Sequence, residues 1–305
     1  MILHIVLLAA LASAPCGAFD AQLEKTYGFR PSKLDEAGID AKSSQMDAVW
    51  KVVQQNPGTL GPCLKAALKR PTEDGWFLFD GSQLLVSVDK SREAKLLLLD
   101  ALGRVALDDV DLRVWVAIAS RLGVEGFDTS ALGKRWLSYP KAEYFLPEHG
   151  AYRVDRENGA MFIFGALDER YATPALVELA RSGSGEQKEI ATRLLMSQAT
   201  PEALRALALP EQPALIEPRK PPRTSRAEFV AAFTALLAGD EEPFNRLVTA
   251  VPDGERDLVA VMTPADLDML RKVRRRYIAR NTQHAIEYYN QFSQILMTMV
   301  WTPPR

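Results

Sequence analysis

Glu148 and His149 stand side by side in the segment PEHGAYRVDREN, and Asp155, Arg156 and Glu157 follow within a few residues. An imidazole beside carboxylates can move a proton or begin a metal site, and an arginine can steady an anionic substrate. Glu148, His149, Asp155 and Arg156 are therefore the candidate catalytic residues. A metal would need three or four ligands, which neighbours in sequence rarely supply, so a structural, hydrogen-bonded histidine is the competing reading. His284 and Glu287 form a second candidate pair one helical turn apart, and a solvated i to i+3 pair is the competing reading there. The chain carries no phosphate-binding glycine loop, no dinucleotide fingerprint, no Gly-x-Ser-x-Gly, no His-Glu-x-x-His and no Cys-x-x-Cys. These patterns imply neither a cofactor nor a metal, and they favour a protein that is not an enzyme.

The densest charge is in RKVRRRYIAR, where Arg271, Lys272, Arg274, Arg275, Arg276 and Arg280 spread around a helix that keeps Leu267, Leu270, Val273 and Tyr277 as an apolar stripe. Such a helix is a candidate anion-binding face, for phosphate-rich ligands or an anionic membrane surface. The competing reading is a solvated face or salt bridges to acidic neighbours. The whole chain has 37 basic and 39 acidic residues, a balance that speaks against nucleic acid as a partner.

The first 18 residues, MILHIVLLAALASAPCGA, begin with an apolar run and end in small residues, as a secretory signal does. Ala18/Phe19 is the expected junction, because Pro15 would follow a cut after Ala14. A buried N-terminal helix and a lipidated Cys16 are the alternatives. After cleavage only Cys63 would remain, so no internal disulfide is expected, and Cys63 reads as a small buried hydrophobe beside a helix face. No Asn-x-Ser/Thr acceptor occurs, which suggests a bacterial protein, periplasmic or secreted.

Most of the elements that would position these residues read as helices. SQMDAVWKVVQQNPG and TLGPCLKAALKRP show three- and four-residue apolar spacing, Ser91 caps REAKLLLLDALGRV, and Asp108 or Asp109 opens VDLRVWVAIASRLG. WFLFDGSQLLVSVD differs. Apolar runs flank Asp80-Gly81, a tight-turn dipeptide, so a β-hairpin is expected over 76–88. SRAEFVAAFTALLAGD predicts a further amphipathic helix, and the aromatic and methionine residues from Ile286 to Met299 predict a packed helical face.

Thr-Pro occurs at Thr173-Pro174, Thr200-Pro201 and Thr263-Pro264, each ahead of a leucine-bearing run. Threonine accepts a bond from an orphan N–H as an N-cap, and proline suits the first helical position. Each pair is therefore expected to start a helix, with Asp266 completing something close to a capping box at Thr263. Leu176, Leu179 and Ala180 recur as Leu204, Leu207 and Ala208, with EIATRLLMSQA between them. Over 157–209 this pattern resembles the HEAT-like repeats related to phycobilisome-lyase repeats. The resemblance implies stacked helical hairpins and a binding surface rather than an active site.

Five prolines in LPEQPALIEPRKPPRTSR mark a linker. The expected organisation is a signal at 1–18, a HEAT-like α-helical domain at 19–208 with the β-hairpin near 76–88, a proline-rich linker at 209–226 and a helical C-terminal domain at 227–305. The fold class is mostly α. The expected function is an exported, non-catalytic scaffold for a protein or peptide. An enzyme or small-ligand-binding protein with a cleft near Glu148 and His149, and an anionic-surface binder through 271–280, are the alternatives.

Overall fold

In a computed structural model, residues 15–29, 33–70, 75–140, 155–208, 223–249, 258, 260–278 and 292 are described. Among them every regular element is helical. The expected signal residues 1–14, the histidine segment 141–154 with Glu148 and His149, and the proline-rich stretch 209–222 lie outside the described residues. So do Arg280, His284 and Glu287, and so does the side chain of Arg276.

Contacts divide the chain into two compact units, 1–115 and 116–305. The sequence suggests a boundary at the proline-rich stretch, whereas the described contacts put 227–305 in the same unit as the helices that precede it.

The first unit holds α1 (Pro15–Tyr27), α2 (Glu36–Gln55), α3 (Pro57–Leu68), α4 (Gly75–Val88) and α5 (Arg92–Arg104). Local chemistry sets several of their ends. Asp35 caps α2 by accepting from the Gly38 amide, and Asn56 closes it just before Pro57 opens α3. Ser91 caps α5 as its sequence suggests, accepting from the Ala94 amide at 3.3 Å. Phe19, Leu23 and Tyr27 of α1 share one core with Val53, Leu64, Leu84 and Leu85.

Cys16 of α1 is joined by a disulfide to Cys63 of α3. This corrects the expectation of no internal bridge, which assumed that Cys16 is removed. Cys63 is buried, but as one half of a staple and not as a free thiol.

The expected β-hairpin at 76–88 is overturned: α4 runs unbroken through Asp80-Gly81. Its Leu78, Phe79, Leu84 and Leu85 are buried, and Trp76 and Phe77 are half-buried. A helix apolar on most of its circumference loses the 3.6-residue contrast that identifies an amphipathic one. Gly81 serves contact and not turning. A Cβ there would lie 3.1 Å from a Leu68 methyl and 3.2 Å from the Phe77 ring.

α6 (Leu112–Val124) straddles the division. Asp111, not Asp108 or Asp109, caps it, accepting from the amides of Arg113 and Val114; Leu107–Asp109 form a separate 3₁₀ turn.

The second unit continues with α7 (Ser130–Leu137), α8 (Arg156–Ala166), α9 (Glu169–Ser182), α10 (Gly185–Gln198) and α11 (Pro201–Ala206). Packing joins α7 with α8, α9 with α10 and α10 with α11, and also joins alternate helices: α7 with α9, α8 with α10, α9 with α11. α7 and α8 exchange rings for glycines. A Cβ on Gly133 would fall 2.5 Å from the Phe164 ring, and one on Gly159 would fall 2.3 Å from the Trp136 indole. The Trp136 indole N–H also donates to the Arg156 carbonyl at 2.9 Å.

Beyond the proline-rich stretch come α12 (Arg226–Ala238), α13 (Glu242–Thr249) and α14 (Leu267–Ile278). Ser225 and Glu228 form a full capping box on α12. Phe229, Phe233, Phe244, Tyr277 and Phe292 build the aromatic core shared by this segment, and α14 packs on both α12 and α8.

Thr200-Pro201 starts α11 as its sequence suggests, with the threonine hydroxyl accepting from the Ala203 amide at 3.1 Å. Thr263-Pro264 opens a 3₁₀ turn that runs into α14, and Asp266 accepts from the Thr263 amide at 2.7 Å. Thr173-Pro174 does not start a helix. α9 begins at the Asp168 cap, so Pro174 sits inside it and has no N–H to return to the Arg170 carbonyl. The Thr173 hydroxyl instead donates to Gln198 Oε1 at 3.0 Å, a buried tie between α9 and α10.

A candidate charged cleft at three helix ends

The last carbonyls of a helix lack intrahelical partners and carry the negative end of its dipole, so cations are favoured there. In the second unit the basic run of α14 answers this need. Arg274 donates to the Ser197 carbonyl near the end of α10, and Arg271 donates to the Ala199 carbonyl just beyond it at 3.1 Å. Arg275 reaches Ala166 at the end of α8 at 3.2 Å and Gly123 near the end of α6 at 3.4 Å. Arg274 is only 4% exposed. Consecutive basic residues spread around a helix, and α14 packs against enough neighbours that several of them meet backbone and not solvent. Lys272 is exposed.

Beside these arginines lies a cleft of about 210 Å³. Asp168 and Glu169 from the start of α9, Gln198 from the end of α10, and Asp268, Arg271 and Lys272 from α14 are among its lining residues. Arg271 Nε stands 3.2 Å from Glu169, and Arg275 lies 3.9 Å from Asp168. Burial pushes the Glu169 carboxyl above its ordinary range, and the nearby charges of Arg271 and Arg274 hold it back in part. Among its described lining residues no serine, threonine, cysteine, histidine or tyrosine faces the cleft. The arrangement can therefore hold ions and polar groups, and it includes the burial-raised acid Glu169.

Of the residues expected to converge near His149, Asp155 and Arg156 are described, while Glu148 and His149 lie outside the described residues. Asp155 caps α8 by accepting from the Asn158 amide at 2.8 Å. Arg156 pairs with Glu186 and donates to the carbonyls of Tyr139 at 3.1 Å and Pro140 at 3.2 Å. Both act in the local architecture. Among the described residues, no three His, Cys, Asp or Glu side chains are grouped so as to hold a metal ion.

Two carboxylates acquire distant partners in the fold. Asp80, within α4, accepts from the Tyr27 hydroxyl and from the Trp50 indole N–H at 3.0 Å. Burial raises its carboxyl, the Trp50 and Tyr27 bonds lower it, and the net shift is upward; burial and the Asp80 charge together push the Tyr27 phenol up strongly. Asp266 accepts a two-pronged bond from Arg226, at 2.5 and 2.8 Å, besides the Thr263 amide and hydroxyl. Burial pushes its carboxyl up, but the Arg226 and Thr263 bonds outweigh it and leave a net downward shift. No signal in the sequence separates Asp80 from a turn aspartate. Asp266 was legible through its spacing from Thr263, although Arg226 was not.

Compared with protein-family models, with curated proteins and with solved structures, the chain matches none. No helix among the described residues is long and apolar enough to cross a membrane.

Proposed function

We propose that the chain is an exported, non-catalytic helical-repeat scaffold that binds a protein or peptide partner. The observation that carries this reading is the packing of α7 to α11, in which each of α7, α8 and α9 meets the next helix but one. Stacked helical hairpins of the HEAT-like kind build their core this way and leave an extended outer surface for recognition. The internal commitments of Asp155, Arg156, Arg271, Arg274 and Arg275 point in the same direction, since residues that read as reactive are spent on holding helices together. The Cys16–Cys63 bridge supports export, because disulfides persist in oxidising compartments.

The test is native co-purification from the cell envelope with wild-type protein and with an Arg181→Glu/Lys188→Glu variant. Both positions are exposed on the α9 and α10 pair. A stoichiometric partner recovered with the wild type and lost with the folded variant is expected. Recovery of no such partner, or equal recovery by both, overturns the reading.

A second reading, a small polar ligand held in the cleft, is favoured by the raised Glu169 carboxyl beside Arg271. Thermal-shift measurements with citrate, phosphate and glutamate on wild type and on Glu169→Gln check it. A stabilisation that the variant loses supports it, and no stabilisation by any of the three removes it.

A further inference from the structure

Cys16 is the second residue of α1, and the rest of that helix is fastened down. Phe19, Leu23 and Tyr27 recur every four residues and are 1%, 4% and 2% exposed. Tyr27 also holds the buried Asp80. A cut at Ala18/Phe19 would take away the first turn of α1 together with Cys16. It would also put the new chain end directly on Phe19, whose ring belongs to the core. The expected junction and the packing of α1 are therefore incompatible.

We infer that the chain keeps Cys16, that its leader is removed on the amino side of Pro15, between Ala12 and Ser13, and that Cys16 and Cys63 are then oxidised to a structural disulfide outside the cytoplasm. This rests on the export reading above. Ala10-Leu11-Ala12 supplies the small-x-small pattern that a signal peptidase accepts. Ala12-Ser13-Ala14 supplies it too, but Pro15 would then follow the cut. Cleavage adds water across the Ala12–Ser13 amide and leaves a free amine on Ser13. Bridge formation passes two electrons and two protons from the Cys16 and Cys63 thiols to the disulfide of an exported thiol oxidoreductase, which leaves as its dithiol. A lipid thioether on Cys16 would consume the same sulfur, so the two fates exclude each other.

The experiment is expression of the full chain with its own leader in a host that exports and oxidises proteins. Intact mass and N-terminal sequence are then read on the extracytoplasmic fraction, with maleimide labelling before and after reduction. Ser13 as first residue, no thiol labelled before reduction and both labelled after it are expected. Export with Phe19 as first residue and one free thiol overturns this inference while leaving the export reading standing, as does a lipid-modified Cys16. An exported chain that still begins at Met1 overturns the junction. A chain confined to the cytoplasm with two free thiols overturns both readings. Ala12→Phe removes the small residue at the junction without touching α1, so loss of processing at Ser13 is expected, and unchanged processing there overturns the assignment.

Discussion

Asp80 in the first unit and Asp266 in the second are both buried acids, 8% and 6% exposed, yet their carboxyl groups shift in opposite directions. Asp80 is held by neutral donors, a phenol and an indole, and burial wins. Asp266 is held by the Arg226 guanidinium and by the Thr263 amide and hydroxyl, which together favour the charged form enough to reverse the effect of burial. The contrast extends to the units themselves. The first fastens its N-terminal helix with a covalent bridge, the Tyr27–Asp80 hydrogen bond and one ion pair, Arg70 with Asp20. The second fastens its last described helix with arginines that reach the carbonyls of three other helix ends. Burial alone does not set the behaviour of a polar group; the number and charge of its donors act against it.

Several changes should break or sharpen this contrast. Breaking the bridge with Cys16→Ser should have the largest effect. It closes a loop over a sequence separation of 47 residues, for which the chain-entropy model gives about 4 kcal/mol. Hydrogen exchange followed segment by segment should show that loss in α1 to α5 and little change in α7 to α11, and an equal loss in both would dissolve the distinction between the units. Gly159→Ala should come next, at about 3 kcal/mol in urea unfolding, because the added methyl has no room beside Trp136 and overpacking is costly. Its effect should be confined to the second unit. Arg274→Met keeps most of the side-chain volume but leaves the buried Ser197 carbonyl without its cation. It should lose about 2 kcal/mol, and a neutral result would mean that helix-end charges contribute nothing there.

The smallest expected effect is on pH dependence, and its sign differs between the two acids. The folded Asp80 carboxyl binds its proton more tightly than the unfolded chain, whose ordinary value is 3.8. The first unit should therefore lose stability as pH rises from 3.8 through the folded value, and Asp80→Asn should flatten that slope. Asp266 is the reverse. Its contribution is present above 3.8 and is lost as pH falls through its lower folded value, so Asp266→Asn should flatten the acid limb. Unfolding curves from pH 3 to pH 8 would distinguish the two, and parallel slopes in both variants would remove the contrast.

Legibility followed how local each cause was. Ser91 and Thr200-Pro201 could be read directly, since a cap bonds within three residues of itself. Thr173-Pro174 carries the same dipeptide, but its meaning depends on Asp168 upstream and on Gln198 in another helix. Asp80-Gly81 spells a turn in isolation. In the fold the aspartate has found Tyr27 and Trp50, and the glycine makes room for Leu68 and Phe77. Of the candidate site residues, Asp155 was read as a possible catalytic group and is a helix cap, and the work of Arg156 and of the α14 arginines required knowing which carbonyls lie opposite them.

The sequence by itself determined that this is a helical protein with a near-balanced charge and no familiar catalytic motif, because composition, apolar spacing and capping act over a few residues. Tertiary structure alone decided that Cys16 meets Cys63, that α4 is a buried helix and not a hairpin, and that Arg271, Arg274 and Arg275 of α14 turn toward helix ends. Each of these depends on partners tens of residues away, and side-chain spacing along a chain carries no record of which distant carbonyl, ring or thiol will be brought within bonding distance.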